Sequence, residues 1–124
     1  MKIQLIGTGT IPDMTNSASV LINDHILFDV PNGNLKAMIR QNIDILKIDT
    51  VIISHTHADH CFDMPFLLWY KEDYQKESKR LSTKIITDKI TQNTIENLID
   101  LSYFNSAKNA KKEFIDAEEV NNIE

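Results

Sequence analysis

An α/β fold is predicted for this 124-residue chain, and three observations carry it. Three β-rich stretches open the chain, the second and third separated by a two-residue turn. Beyond them the apolar residues switch from a period of two to helical spacing, and strand and helix then alternate. One later run, Asp49 to Ser54, holds Thr50-Val51-Ile52-Ile53 with little polar alternation, the pattern of a strand covered on both faces.

Each element follows from its residues. Lys2 to Ile6 alternates polar and apolar side chains and reads as a strand running into Gly7-Thr8-Gly9-Thr10. Ser17 to Ile22 and His25 to Asp29 are two further strands, and Asn23-Asp24 between them suits a tight hairpin. Pro31-Asn32-Gly33 ends the third strand. Leu35, Met38 and Ile39 then predict a short helix from about Asn34 to Asn42. After the Asp49–Ser54 strand, Asp63 is expected to cap the next helix. Pro65 is tolerated in its first turn, and the helix runs to about Lys76. Lys84 to Thr87 predicts a strand, Thr91 to Leu101 a helix, and Glu113-Phe114-Ile115 a last strand. The acidic stretch Glu118 to Glu124 is expected to fray.

Length and composition fit one domain with a modest core: 42% of residues are hydrophobic and 25% charged. A formal charge of −5 argues against a strong nucleic-acid-binding surface. The basic clusters Lys79-Arg80 and Lys108 to Lys112 are short and read as solvated faces. One cysteine, Cys61, excludes an internal disulfide and fits a reducing cytoplasm. The apolar N-terminal stretch is too short for a signal peptide or a membrane span. Gly7-Thr8-Gly9 is not a dinucleotide loop, because Pro12 stands where a third glycine belongs. The turn is expected to let the backbone pass close to a neighbouring strand. Phe66, Trp69 and Tyr70 are expected to pack against the core rather than wall a substrate pocket.

The chemistry concentrates in His55-Thr56-His57-Ala58-Asp59-His60, directly after the central strand. In extended chain beyond a strand end, His55 and His57 point to one side and can share a divalent cation. Asp59 and His60 face a second cation only if the loop curls back. Such donors suit zinc, and also manganese or iron.

This segment resembles the signature His-x-His-x-Asp-His of the metallo-β-lactamase superfamily. Three further segments extend the likeness. Leu5 to Thr10 is similar to the first strand and glycine turn of ribonuclease Z-like members, Ile26 to Asp29 to a conserved strand ending in Asp, and Ile48 to Ser54 to the strand before the signature. The resemblance implies the N-terminal half of an αββα sandwich, a mixed sheet with helices on its outer face. It implies that His55 and His57 hold a first zinc ion, that Asp59 and His60 hold a second, and that Asp29 steadies the loop from behind. The reaction implied is metal-assisted hydrolysis, with Asp59 as ligand and proton acceptor and a phosphodiester as the expected substrate, in RNA or a small molecule.

A full member of that superfamily supplies a third histidine for the first metal, a bridging aspartate, and one more histidine for the second. This sequence has no histidine after His60. His25 is the only spare and lies in the early hairpin. Asp88 comes too early for the bridge and reads as a helix cap. Residues 1–124 are therefore expected to form a single, incomplete domain whose activity alone is doubtful. It would work as a homo-oligomer or with a complementing second half. The alternative is a binding module without catalysis.

Overall fold

The computed structural model describes residues 1–76 and 81–120. Its centre is a six-stranded sheet in the order β1-β2-β3-β4-β5-β6, formed by Ile3–Gly7, Ser19–Ile22, Ile26–Phe28, Thr50–Ile52, Thr83–Thr87 and Lys112–Asp116. The first three strands are antiparallel neighbours and the last four run parallel, so the sheet is mixed. Asn23 and Asp24 turn the hairpin with φ of 51° and 65°, and Ile22 pairs with Ile26, so the connection has three residues instead of the expected two. His25 belongs to this turn rather than to the strand after it.

The parallel strands are joined by helices. α1 (Asn34–Arg40) crosses from β3 to β4; α2 (Ala58–Cys61) and α3 (Met64–Tyr74) lead from β4 to β5; α4 (Lys89–Ser102) and α5 (Asn105–Asn109) lead from β5 to β6. Strand order advances in one direction, and crossovers of one hand then put their helices on one face. Leu21, Leu27, Val51 and Ile85 share that face by register and are almost fully buried, against Leu35, Met38, Leu67, Leu68, Ile95 and Ile99 from the helices. Each such side chain contributes about 2 kcal/mol when fully buried. The strands beneath the histidine loop are thus a stiff support.

The other face is covered only in part. Leu5 and Phe28 project from it and are 59% and 38% exposed, while Ile86, in line with them across β4, is buried. The expectation that β4 is covered on both faces holds in part: Val51 is enclosed by helices, and on the opposite side Thr50 is buried and Ile52 half-buried.

Two local findings bear on the loop. The glycine turn is a close approach, as expected. A side chain at Gly7 would collide with the Ser17 carbonyl, and one at Gly9 would stand 2.6 Å from Thr15 Oγ1. The capping expectation for Asp63 is overturned. Its carboxylate makes no cap bond to α3 and instead accepts from the backbone N–H of Gly33 at 3.0 Å and of Leu35 at 2.7 Å. The residue flanking α1 is Gly33, which has no side chain to offer, so Asp63 reaches across the fold to cap that helix. Burial raises the Asp63 carboxyl above its usual range against these backbone bonds.

Asp88 caps α4 as expected, accepting from Thr91 N at 2.7 Å. The helix α5 had no counterpart in the sequence reading. Lys112 Nζ closes its C-terminal end on the carbonyls of Ala107, Lys108 and Ala110, which accounts for one lysine of that basic cluster. Lys79-Arg80 and residues 121–124 lie outside the described residues. Among the described residues no helix is long and apolar enough to cross a membrane.

Candidate metal centre

The loop after β4 runs extended through Ser54 to His57 and then makes one helical turn, α2. That turn curls the chain back towards the strand end. His60 N bonds His57 O at 2.9 Å, and the His60 ring returns to 4.0 Å from the His55 ring, centre to centre. The His57 ring lies 4.6 Å from that of His55, edge to face. Asp59 Oδ2 stands 3.5 Å from His60 Nε2. His55, His57 and His60 are therefore gathered at one point beyond the parallel strand ends, with Asp59 alongside.

Asp29 lies behind them. Its side chain is only 6% exposed. Oδ1 accepts from Ser54 N at 2.8 Å, while Oδ2 meets Ser54 Oγ at 2.9 Å and His60 Nδ1 at 2.7 Å. To point its carboxylate at this loop the Asp29 backbone adopts φ 61°, a left-handed conformation that aspartate tolerates better than most residues. Strain of this sort concentrates at working sites. Asp29 N also bonds Ile52 O at 2.8 Å, and Val30 N bonds His60 O at 2.8 Å, so main chain and side chain lock the same corner.

Two further contacts anchor the loop. Thr56 Oγ1 lies 2.6 Å from Thr94 Oγ1, tying the middle of the signature to α4. The Cys61 thiol faces the carbonyls of Thr56 and His57 at 3.5 Å. Burial, with the charges of Asp29 and Asp59, pushes that thiol up to about 11, which suits a packing role. Asp88 is exposed, and its bonds from Thr91 hold its carboxyl below the ordinary range. His25 is elsewhere, paired with Asp49 at 2.9 Å. Trp69 and Tyr70 pack against the core; Phe66 is exposed and meets Phe104 edge-on at 5.4 Å.

Whether these residues fit a cation can be judged from the donors. His60 is engaged at Nδ1, which leaves Nε2 on the side of Asp59. A histidine held through one ring nitrogen by a carboxylate is the usual arrangement behind a metal ligand. The donor chemistry fits a divalent ion. Among the described residues no group of three or more His, Cys, Asp or Glu side chains is arranged to hold a metal ion. Sequence reasoning missed Ser54 and Thr94. A hydroxyl directly before His55 was the available signal for Ser54; nothing local pointed to Thr94, which is 38 residues from Thr56.

The family model of the anti-Pycsar protein Apyc1 matches residues 1–123. The chain belongs to that family. Curated relatives include a ribonuclease Z of Staphylococcus epidermidis, 41% identical over 110 residues, covering 82% of this chain and 35% of the relative. A ribonuclease Z of Methanococcus aeolicus is 33% identical over 108 residues, covering 83% and 33%. The chain thus spans about a third of the length of these relatives. Among solved structures, the short form of human tRNase Z superposes with a TM-score of 0.75 at 20% identity, over 92% of this chain and 43% of that one. The metallo-β-lactamase fold protein YhfI of Bacillus subtilis gives 0.63 at 21%, over 92% and 45%. The fold is therefore the one the signature implied: an α/β metallo-β-lactamase superfamily fold of ribonuclease Z type, present here as part of that larger fold.

Proposed function

We propose that this chain carries half of the metal site of a phosphodiester hydrolase. The observation that carries the reading is the convergence of His55, His57 and His60 at the end of β4, with Asp59 beside them and the buried Asp29 behind. His55 and His57 would hold one cation, and Asp59 and His60 a second; zinc suits the donors, with manganese or iron as alternatives. Bound there, such ions would supply an activated water and charge stabilisation at the substrate phosphate. The chain's own contribution is to fix the imidazoles through Asp29 and Ser54, and to offer Asp59 as ligand and proton acceptor. The ribonuclease Z relatives support RNA as the substrate, with a small phosphodiester as the alternative. A reducing cytoplasm suits the single buried cysteine.

A second reading rests on the partly open sheet face. Ile3 and Leu5 are more than half exposed there. Apolar surface of this kind marks contact with further protein, either a second copy or a complementing half. Two ligands per ion are too few for tight binding, so residues 1–124 alone would hold metal weakly and act as a binding module.

The test is metal analysis of the full-length protein after gentle purification, with turnover of bis(p-nitrophenyl) phosphate. Near-stoichiometric zinc, manganese or iron is expected. In the double variant His55→Ala, His57→Ala, turnover should fall to background and the cation held by that pair should be lost. Metal uptake that the double variant leaves intact would overturn the reading.

A further inference from the structure

We propose that Ser54 is a positioning residue: its hydroxyl passes the hold of Asp29 on to His55 and so fixes which ring nitrogen of His55 faces the cation. Ser54 Oγ lies 2.9 Å from Asp29 Oδ2 on one side and 2.9 Å from His55 Nδ1 on the other. The direction of these bonds follows from donor counting. An ionised carboxylate only accepts, so the single hydroxyl proton of Ser54 goes to Asp29 Oδ2. The oxygen of Ser54 is then an acceptor towards His55, and Nδ1 of His55 must carry the proton of that bond. The lone pair of a neutral His55 is left on Nε2. The reverse orientation would place two acceptors against each other at 2.9 Å in a site where Asp29 is almost fully enclosed, leaving a buried bond unmade.

Asp29 applies the same constraint directly to His60, whose Nδ1 lies 2.7 Å from Oδ2. One carboxylate therefore sets two imidazoles: His60 by contact and His55 through the hydroxyl. Ser54 reaches this position because its own N–H is pinned to Asp29 Oδ1 at 2.8 Å, which fixes its backbone at the end of the strand. Ser54 Oγ is also 3.4 Å from His60 Nδ1, so the three groups surround one hydroxyl. Ser54 and Asp29 thus pre-orient the imidazoles of His55 and His60.

The consequence for metal affinity rests on the function proposed above; the choice of tautomer does not. The two are separated by measuring His55 without metal. Long-range proton–nitrogen spectra of the metal-free full-length protein, labelled with nitrogen-15 histidine and with imidazoles neutral, report which ring nitrogen is protonated. His55 is expected to be protonated at Nδ1. Ser54→Ala should release it towards the Nε2–H form that free imidazole side chains favour, while His60 stays protonated at Nδ1. Ser54→Thr, which keeps a hydroxyl, should restore the Nδ1–H form. In parallel, chelator competition with zinc should show Ser54→Ala weakened about tenfold to hundredfold and Ser54→Thr close to wild type. A His55 protonated at Nε2 in the wild type, or still protonated at Nδ1 in Ser54→Ala with its fold intact by circular dichroism, overturns the relay. Should Ser54→Ala fail to fold, the wild-type and Ser54→Thr spectra decide: Nδ1–H in both sustains the relay, and Nε2–H in either overturns it. If the tautomers behave as stated but no cation binds to wild type, the relay stands and the metal reading falls.

Discussion

Two histidine–aspartate pairs sit at opposite ends of the same parallel strands, and they differ in everything except the pair itself. His60 and Asp29 meet at 2.7 Å beyond the strand ends, with side chains 24% and 6% exposed. His25 and Asp49 meet at 2.9 Å at the strand starts, 30% and 47% exposed. The first carboxylate takes Ser54 N, Ser54 Oγ and His60 together, from a left-handed backbone. The second takes His25 and the hydroxyl of the adjacent Thr50. An ion pair on a half-exposed edge contributes little. A buried carboxylate that several donors depend on is costly to remove. Enclosure and the convergence of other donors, not the pairing of His with Asp, mark the site.

The largest effect that would break this contrast is at Asp29. Asp29→Ala leaves Ser54 N and His60 without their acceptor and places alanine at φ 61°, so unfolding free energy should drop by about 3 kcal/mol, read from the urea midpoint. Cation affinity should fall at least about tenfold. A loss no greater than that of His25→Ala would erase the distinction between the two ends.

A second effect sharpens the picture of the far end. Lys71 of α3 is buried there and donates to Ile48 O and to Thr83 Oγ1, the latter at 2.6 Å. Burial pushes its ammonium down to about 8 from an ordinary 10.5, with Asp49 opposing. The sign follows from proton counting. Between pH 8 and 10.5 the unfolded chain holds this proton and the folded chain does not, so stability should rise with pH across that window. The gain is at most about 3 kcal/mol. Lys71→Met should flatten the rise, measured as unfolding midpoints at pH 7.5, 9 and 10 on the same denaturant scale; an unchanged slope would show that Lys71 is not enclosed.

The smallest effect is at His25. His25→Ala should change stability by less than about 0.5 kcal/mol and leave cation uptake untouched. Burial works against ionising Asp49, but its bonds from His25 and Thr50 prevail and hold the carboxyl below 3.8. Whatever stability this pair adds is present above pH 3.8 and disappears as pH falls through the lowered value. Acid titration of the His25→Ala protein should show that small contribution missing.

Much of this was legible beforehand, for identifiable reasons. The strands and helices were readable because each buries one face, and the alternation of Lys2 to Ile6 or the spacing of Leu35, Met38 and Ile39 records that directly. Asp88 was readable as a cap because capping is local. Asp63 was misread for the same reason: it stands at the start of α3, yet its partners are Gly33 and Leu35, about thirty positions away in sequence. The α5 helix escaped because it is short, carries little apolar periodicity and is closed by Lys112 from the following strand.

Residue order alone determined the α/β alternation, the hairpin at Asn23-Asp24, and a set of imidazoles and carboxylates placed directly after the central strand. Those are properties of neighbours along the chain. Only the tertiary structure decided that one helical turn returns His60 to His55, that Asp29 serves Ser54 and His60 from 25 and 31 residues away, and that one sheet face stays partly open. These depend on which strand ends lie side by side, and hydrogen bonds across a sheet are set by distance through space, which no periodicity in the sequence encodes.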